Sequence, residues 1–458
     1  MLFQTWTFAV FFIVVYGLHV CLHRTRLRLP LLLAASYVFY GWLNPFFPVL
    51  LAACTALNFF AVVLMDRTRF RRFWFAVSVV GSVGLLGFFK YAGFVADNVN
   101  ALLPKLGVAY RLPEPGFLLP VGISFFTFQA LSYTIDSYRG KIPRERSLLR
   151  FATFVAMFPR LLAGPIERAA NVLPQLYEPR PIMRQDVTDG LSLFIVGLFK
   201  KVALSDFLAL YVNKVYEIPE DYSAPALLLA TFAFAWQIYF DFSGYTDMAR
   251  GIARMMGYRL MLNFNNPYLA TGLGEFWQRW HISLSTWFKD YVYIPLGGNR
   301  RGPVRTYVNM ALTMVISGLW HGAAWTFVIW GAVHALGRIL TRELERTVFY
   351  KEKVPKFAKQ MLTFAIVTFA WIFFKAASWD DACLIVKRIF TTGWADPAFP
   401  VVAMLLILSV WVYQFVCESR LRRVLQLAPV RVALVVLMVL YLAIFAGGSA
   451  QEFIYFQF

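Results

Sequence analysis

The chain has 458 residues, a formal net charge of +19, 59% hydrophobic residues and only 15% charged ones. Several apolar runs reach the ~20 residues that cross a hydrocarbon core, which excludes a soluble globular protein and predicts an all-α, polytopic integral membrane protein. In a soluble chain the positive charge would suggest nucleic acid. Here it reads as the bias of cytoplasmic loops, so the lipid bilayer is the expected environment and no nucleic-acid partner is expected.

In chain order the apolar runs lie at about 6–22, 29–43, 45–65, 74–95, 119–135, 188–212, 224–246, 307–337, 358–375, 399–417 and 431–447. The first has no basic region before it and no small-residue cleavage pattern, so it reads as a retained helix rather than a signal peptide. The run at 307–337 is long for one crossing and short for two, and "SGLWHGAAW" interrupts it. It reads as two short helices meeting near the midplane, giving about 11–12 crossings in all. Two further segments, "FATFVAMFPRLLAGPIER" (151–168) and "GEFWQRWHISLSTWFKDYVYIPLGGNR" (274–300), hold charged residues inside aromatic stretches. Re-entrant or interfacial helices suit them, because irregular backbone at membrane depth survives only when buried in protein or lining a cavity. A cavity open toward the cytoplasm follows, in a single domain spanning 1–458.

The loops at 23–28, 66–73, 139–150, 178–186, 247–260, 299–306, 338–360 and 418–424 carry about 30 Lys or Arg. The loops near 96–118, 213–223 and 376–398 carry 5. That asymmetry places the basic loops in the cytoplasm and both termini outside. The chain closes on an aromatic motif, "FIYFQF", within 451–458. Composition alone makes it an interfacial belt.

Of five histidines, His321 stands out, because it falls inside an apolar run, where an ionisable group is costly and is a functional hypothesis by default. Gly318 and Gly322 beside it permit close approach, and Trp320 and Trp325 offer rigid walls. A neutral imidazole in a dry pocket suits a general base; a hydrogen bond to a neighbouring helix is the bland alternative. His281, in "WQRWHISLSTWFKDY" with Lys289 and Asp290 nearby, suits catalysis or an interfacial helix equally. His19, His23 and His334 read as polar interface residues. Lys200 and Lys201 fall within an apolar run, where they either snorkel or face an anionic group. Asp241, Asp247 and Asp136 read first as partners for basic residues. "PLGGNRRGP" (295–303) is glycine-rich and basic but lacks the spacing of a phosphate loop. No cluster suggests a metal site, and the four cysteines read as small buried hydrophobes.

"LPVGISFFTFQALSYTID", "FPRLLAGPIER", "GLFKKV", "DFSGYTDMA", "FWQRWHISLSTWFKDYVYIPLGG" and "GLWHGAAWTFVIWGAVHAL" occur in this order between about 118 and 337. Together they resemble the membrane-bound O-acyltransferase (MBOAT) family, most closely the bacterial branch containing the membrane subunit of alginate O-acetylation. The resemblance implies a helical bundle around a central tunnel, with His321 as the family's central histidine and His281 as a second one. It implies transfer of an acetyl group from a cytoplasmic thioester, with acetyl-CoA as donor and no bound cofactor. Periplasmic partners of the SGNH type would then deliver the group to an exopolysaccharide such as alginate. Lys200, Lys201, Arg160, Trp320 and Asp290 become candidates for the donor side, although Arg160 stands where relatives often carry Gln. The tail "FIYFQF" is similar to that of a companion protein in D-alanylation, which makes Tyr455 a candidate acyl relay. Three other readings stay open: D-alanyl transfer to teichoic acid, transport of an acylated or anionic solute, and acyl transfer to lipid.

Overall fold

The computed structural model describes every residue except 114, 117–118, 426, 446–452 and 457–458. The described residues form helices and connecting loops with no β-strand. Each of the eleven apolar runs coincides with a helix or with a pair of helices. Among the described residues, five helices are long and apolar enough to cross a membrane: Phe47–Arg67, Arg71–Leu106, Ala224–Met255, Lys356–Lys375 and Val401–Glu418. The remaining runs form shorter or interrupted helices, including Trp6–Leu22 and Ala428–Ile444. Contacts divide the chain into two compact units, 1–191 with 249–261 and 192–248 with 262–458.

In the first unit a buried Asn58 ties three helices together. Its amide donates to Ser82 Oγ at 2.9 Å, and its oxygen accepts from Ser78 Oγ and Thr134 Oγ1, both at 2.8 Å. A fully satisfied polar cluster of this kind sets helix register where water is absent. The segment 151–168 is irregular, as expected. Helix Leu148–Ala156 stops at Met157, and the four-residue helix Phe158–Leu161 follows. Ser36 Oγ accepts the Phe158 amide at 3.0 Å, which satisfies a backbone donor freed by the break. His19 and His23 are the polar interface residues expected. His19 Nε2 lies 3.0 Å from the Met256 carbonyl, His23 Nε2 lies 2.7 Å from that of Arg180, and the two rings meet at 3.3 Å.

In the second unit the run at 307–337 does split. Helix Gly302–His321 ends at His321, Gly322 and Ala324 are extended, and helix Trp325–Leu344 begins. The two helices lie against each other through glycines. A Cβ on Gly318 would stand 2.1 Å from the Phe327 carbonyl oxygen, and one on Gly331 would stand 2.5 Å from that of Met314. Backbone cannot retreat as a flexible side chain does. Gly318→Val is therefore expected to cost about 3 kcal/mol or more, read as a lowered melting temperature and early elution of detergent-solubilised protein.

The cysteine expectation holds only for Cys54. Cys21 and Cys383 are exposed on their helices and Cys417 is partly so, because apolar helix faces in a membrane need not turn inward.

Candidate active site

The segment 274–300 is not one helix. Helix Leu273–Arg279 ends at Trp280, His281 turns the chain with φ 40°, and helix Ile282–Phe288 leaves in a new direction. A left-handed conformation is uncommon for a residue other than glycine and costs of order 1–3 kcal/mol, so the surroundings must hold it. Asn263 is the holder. Its Oδ1 accepts the Ser283 amide at 3.2 Å and the Ser283 hydroxyl at 2.9 Å, and lies 3.1 Å from His281 Nδ1. The Ser283 amide can only donate, so the Asn263 atom facing it is the oxygen. That oxygen in turn requires a proton on His281 Nδ1, which leaves the lone pair on Nε2. His281 is fully buried.

Trp320 meets both candidate histidines. Its ring centroid lies 6.1 Å from that of His281 and 4.9 Å from that of His321. His321 is also met edge-on by Trp330 at 5.0 Å and by Phe374 at 5.4 Å. His321 and Trp320 are both buried. Trp325, expected as a wall, is 57% exposed, while Trp330 and Phe374 stand against His321. His334 departs from its polar reading. It is fully buried among Trp330, Trp277 and Phe276, with ring centroids at 4.6, 5.0 and 6.1 Å.

The C-terminal motif enters the same unit. Phe453 and Ile454 are buried, and Ile454–Phe456 forms one 3₁₀ turn. The Ile454 amide donates to Asp241 Oδ2 at 2.7 Å. Phe453 rests on Tyr245 at 4.9 Å and Phe242 at 5.8 Å, and Phe242 meets His281 edge-on at 4.6 Å. One phenylalanine thus bridges the tail and a site histidine. The side chain of Tyr455 lies outside the described residues.

Asp241 is itself held by Lys201, whose Nζ lies 2.8 Å from Asp241 and 2.8 Å from Asp206; Lys200 pairs with Asp247 at 2.7 Å. Both lysines therefore have carboxylate partners. They sit on a widened π-helical turn, Lys200–Ser205, a feature frequent at functional sites. Asp290 lies in a second such turn, Lys289–Tyr293, and is partly exposed. Arg160 belongs to the first unit. It is completely buried, with its guanidinium 4.9 Å from the Phe154 ring centroid and within electrostatic reach of Glu167. Asn263 and the tail-holding role of Asp241 escaped the sequence, since no spacing rule joins a residue to a partner 18 or 213 positions away.

Taken together, the described residues give an all-helical membrane protein with two buried histidines against one tryptophan as its candidate site. The model of the membrane-bound O-acyltransferase family matches residues 127–378, and the chain belongs to that family. A probable alginate O-acetylase of Azotobacter vinelandii is 42% identical over 380 residues, covering 81% of this chain and 74% of its own. The corresponding protein of Pseudomonas aeruginosa is 41% identical over 399 residues, covering 86% and 75%. A peptidoglycan O-acetyltransferase of Helicobacter pylori is 34% identical over 386 residues, covering 78% and 72%.

Asn263→Ala is expected to lower the transfer rate at least about tenfold, because it releases the His281 turn that Asn263 holds. Asn263→Asp, which keeps the acceptor oxygen, should recover most of it. A turnover assay on both variants, with elution profiles as a folding control, checks this.

Proposed function

We propose that this chain moves an acetyl group from cytoplasmic acetyl-CoA to the outer face of a bacterial inner membrane. Periplasmic partners of the SGNH type there place it on an exopolysaccharide such as alginate. The observation that carries the reading is the convergence of His281, Trp320 and His321 within one unit that also docks the C-terminal motif. Relatives that acetylate alginate or peptidoglycan support acetyl as the transferred group and a surface polymer as the final acceptor. The distribution of Lys and Arg supports termini on the outer face.

In this reading His321 takes the proton of an acceptor hydroxyl as its oxygen attacks the thioester carbonyl. The tetrahedral intermediate collapses, the C–S bond breaks, and the leaving thiolate recovers the proton from the imidazolium. A new ester and a free thiol result. His281, held in its turn by Asn263, orients the participants. Trp320, Trp330 and Phe374 keep water from the thioester, which limits hydrolysis. Tyr455 is the first acceptor: its phenol receives the acetyl group and presents it to the outer partner. The paired state of Lys200 and Lys201 argues for a framework role in both, with Lys201 and Asp241 anchoring the tail. The burial of Arg160 gives it the same character.

The test is complementation of an alginate-producing strain lacking its own membrane subunit. O-acetyl esters should return to the secreted polymer. If they return to peptidoglycan instead, the acceptor is reassigned; if thioester is consumed with no ester formed on either polymer, the transferase reading fails.

A further inference from the structure

The second unit holds a cavity of about 640 Å³ that the proposed chemistry does not use. Lys289, Arg300, Arg338, Arg342 and Arg346 line it, against the single carboxylate of Glu345. The size lies within the range of small-molecule sites. Positive-inside bias accounts for basic loops, but not for five cations from three segments gathered around one concavity. The pairing within it is partial. Arg338 lies 3.3 Å from Glu345 and Arg346 lies 2.8 Å from Glu343. Lys289, Arg300 and Arg342 form no ion pair among the described residues. Arg342 instead lies over the Tyr307 ring at 5.6 Å.

The shape of the glycine-rich loop shows how recognition would work. Gly297 and Gly298 have φ 112° and 56°, values that a side chain would oppose. Their amides are already committed, to the carbonyls of Ile294 at 3.0 Å and Tyr293 at 2.9 Å. Asn309 fixes the turn by donating to the Gly298 carbonyl at 2.9 Å. The loop therefore does not offer these two amides to a phosphate. It serves as a rigid floor, and guanidinium forks and an ammonium must do the binding. Arginine forks match phosphate oxygens in pairs, and so many like charges in one concavity require a ligand with more than one negative charge.

We propose that this cavity binds a phosphate-bearing polyanion, through Lys289, Arg300 and Arg342 with Arg338 and Arg346 around them. Two sources share that chemistry: the diphosphate of the thioester donor and the headgroup of an anionic lipid. The donor source rests on the function proposed above, and binding is measured apart from transfer so that the two can fail separately.

The full-length protein is placed in nanodiscs of phosphatidylcholine alone, and binding of free coenzyme A is measured for wild type, Arg342→Gln, Arg300→Gln and their combination. A donor site predicts that each single change weakens coenzyme A binding about tenfold and the pair more, at unchanged elution profile. A lipid site predicts unchanged coenzyme A binding but loss of phosphatidylglycerol from the variants, seen by native mass spectrometry after reconstitution with both lipids. If the variants bind coenzyme A and phosphatidylglycerol as wild type does, the proposal is overturned, whether or not acetyl transfer occurs.

Discussion

His321→Ala lowers acetyl transfer by about 10²–10⁴-fold, the range lost with a positioned general base. The imidazole is met by the rings of Trp320, Trp330 and Phe374, none of which can take the acceptor proton in its place. The measurement is acetyl transfer per molecule of protein recovered from the membrane. An unchanged elution profile separates lost chemistry from lost fold. His321→Gln is the companion variant, because it keeps a polar side chain of similar reach but cannot accept and return a proton at neutral pH. Equal loss in both assigns the effect to proton transfer. Transfer retained in either removes His321 from the role given to it.

Tyr455→Phe abolishes export of the acetyl group while leaving the tail docked. The change deletes one hydroxyl and preserves the aromatic body, so a belt anchored at the membrane interface would be almost indifferent to it. Docking is measured separately through Asp241. Its carboxylate receives the Ile454 amide, and Asp241→Ala removes that acceptor while leaving Lys201 its contact with Asp206. Protease sensitivity of the C-terminal peptide should rise in Asp241→Ala and stay at the wild-type level in Tyr455→Phe. Full export from Tyr455→Phe would return the motif to the interfacial belt that composition alone favours.

The helices were legible because apolar runs in a membrane protein are long and uniform, and charge breaks them cleanly. The split around His321 was legible for a related reason: glycine, alanine and tryptophan crowd a run of the wrong length. His281 was only half legible. Its position in an amphipathic stretch was visible, but the left-handed turn that aims it depends on Asn263, whose oxygen serves three groups at once. Lys200 and Lys201 show the opposite difficulty. A lysine in an apolar run has the same appearance whether it meets a ligand or an aspartate, and here both meet aspartates. His334 looked polar because it sits near the cytoplasmic end of its apolar run, whereas its neighbours in space are tryptophans and a phenylalanine. Trp325 was named for its closeness to His321 in the chain, and the extended turn at 322–324 separates that closeness from its 57% exposure.

The central claim is that an acetyl group leaves a thioester beside His321 and travels out on the C-terminal motif. The direct measurement incubates wild type and His321→Ala in nanodiscs with isotopically labelled acetyl-CoA, then determines the mass of the C-terminal peptide and the residue modified. One labelled acetyl group on Tyr455 in wild type, absent from His321→Ala, is the predicted result. Label on Tyr455 at equal rate in both proteins, or donor consumption by wild type that never marks the peptide, contradicts it.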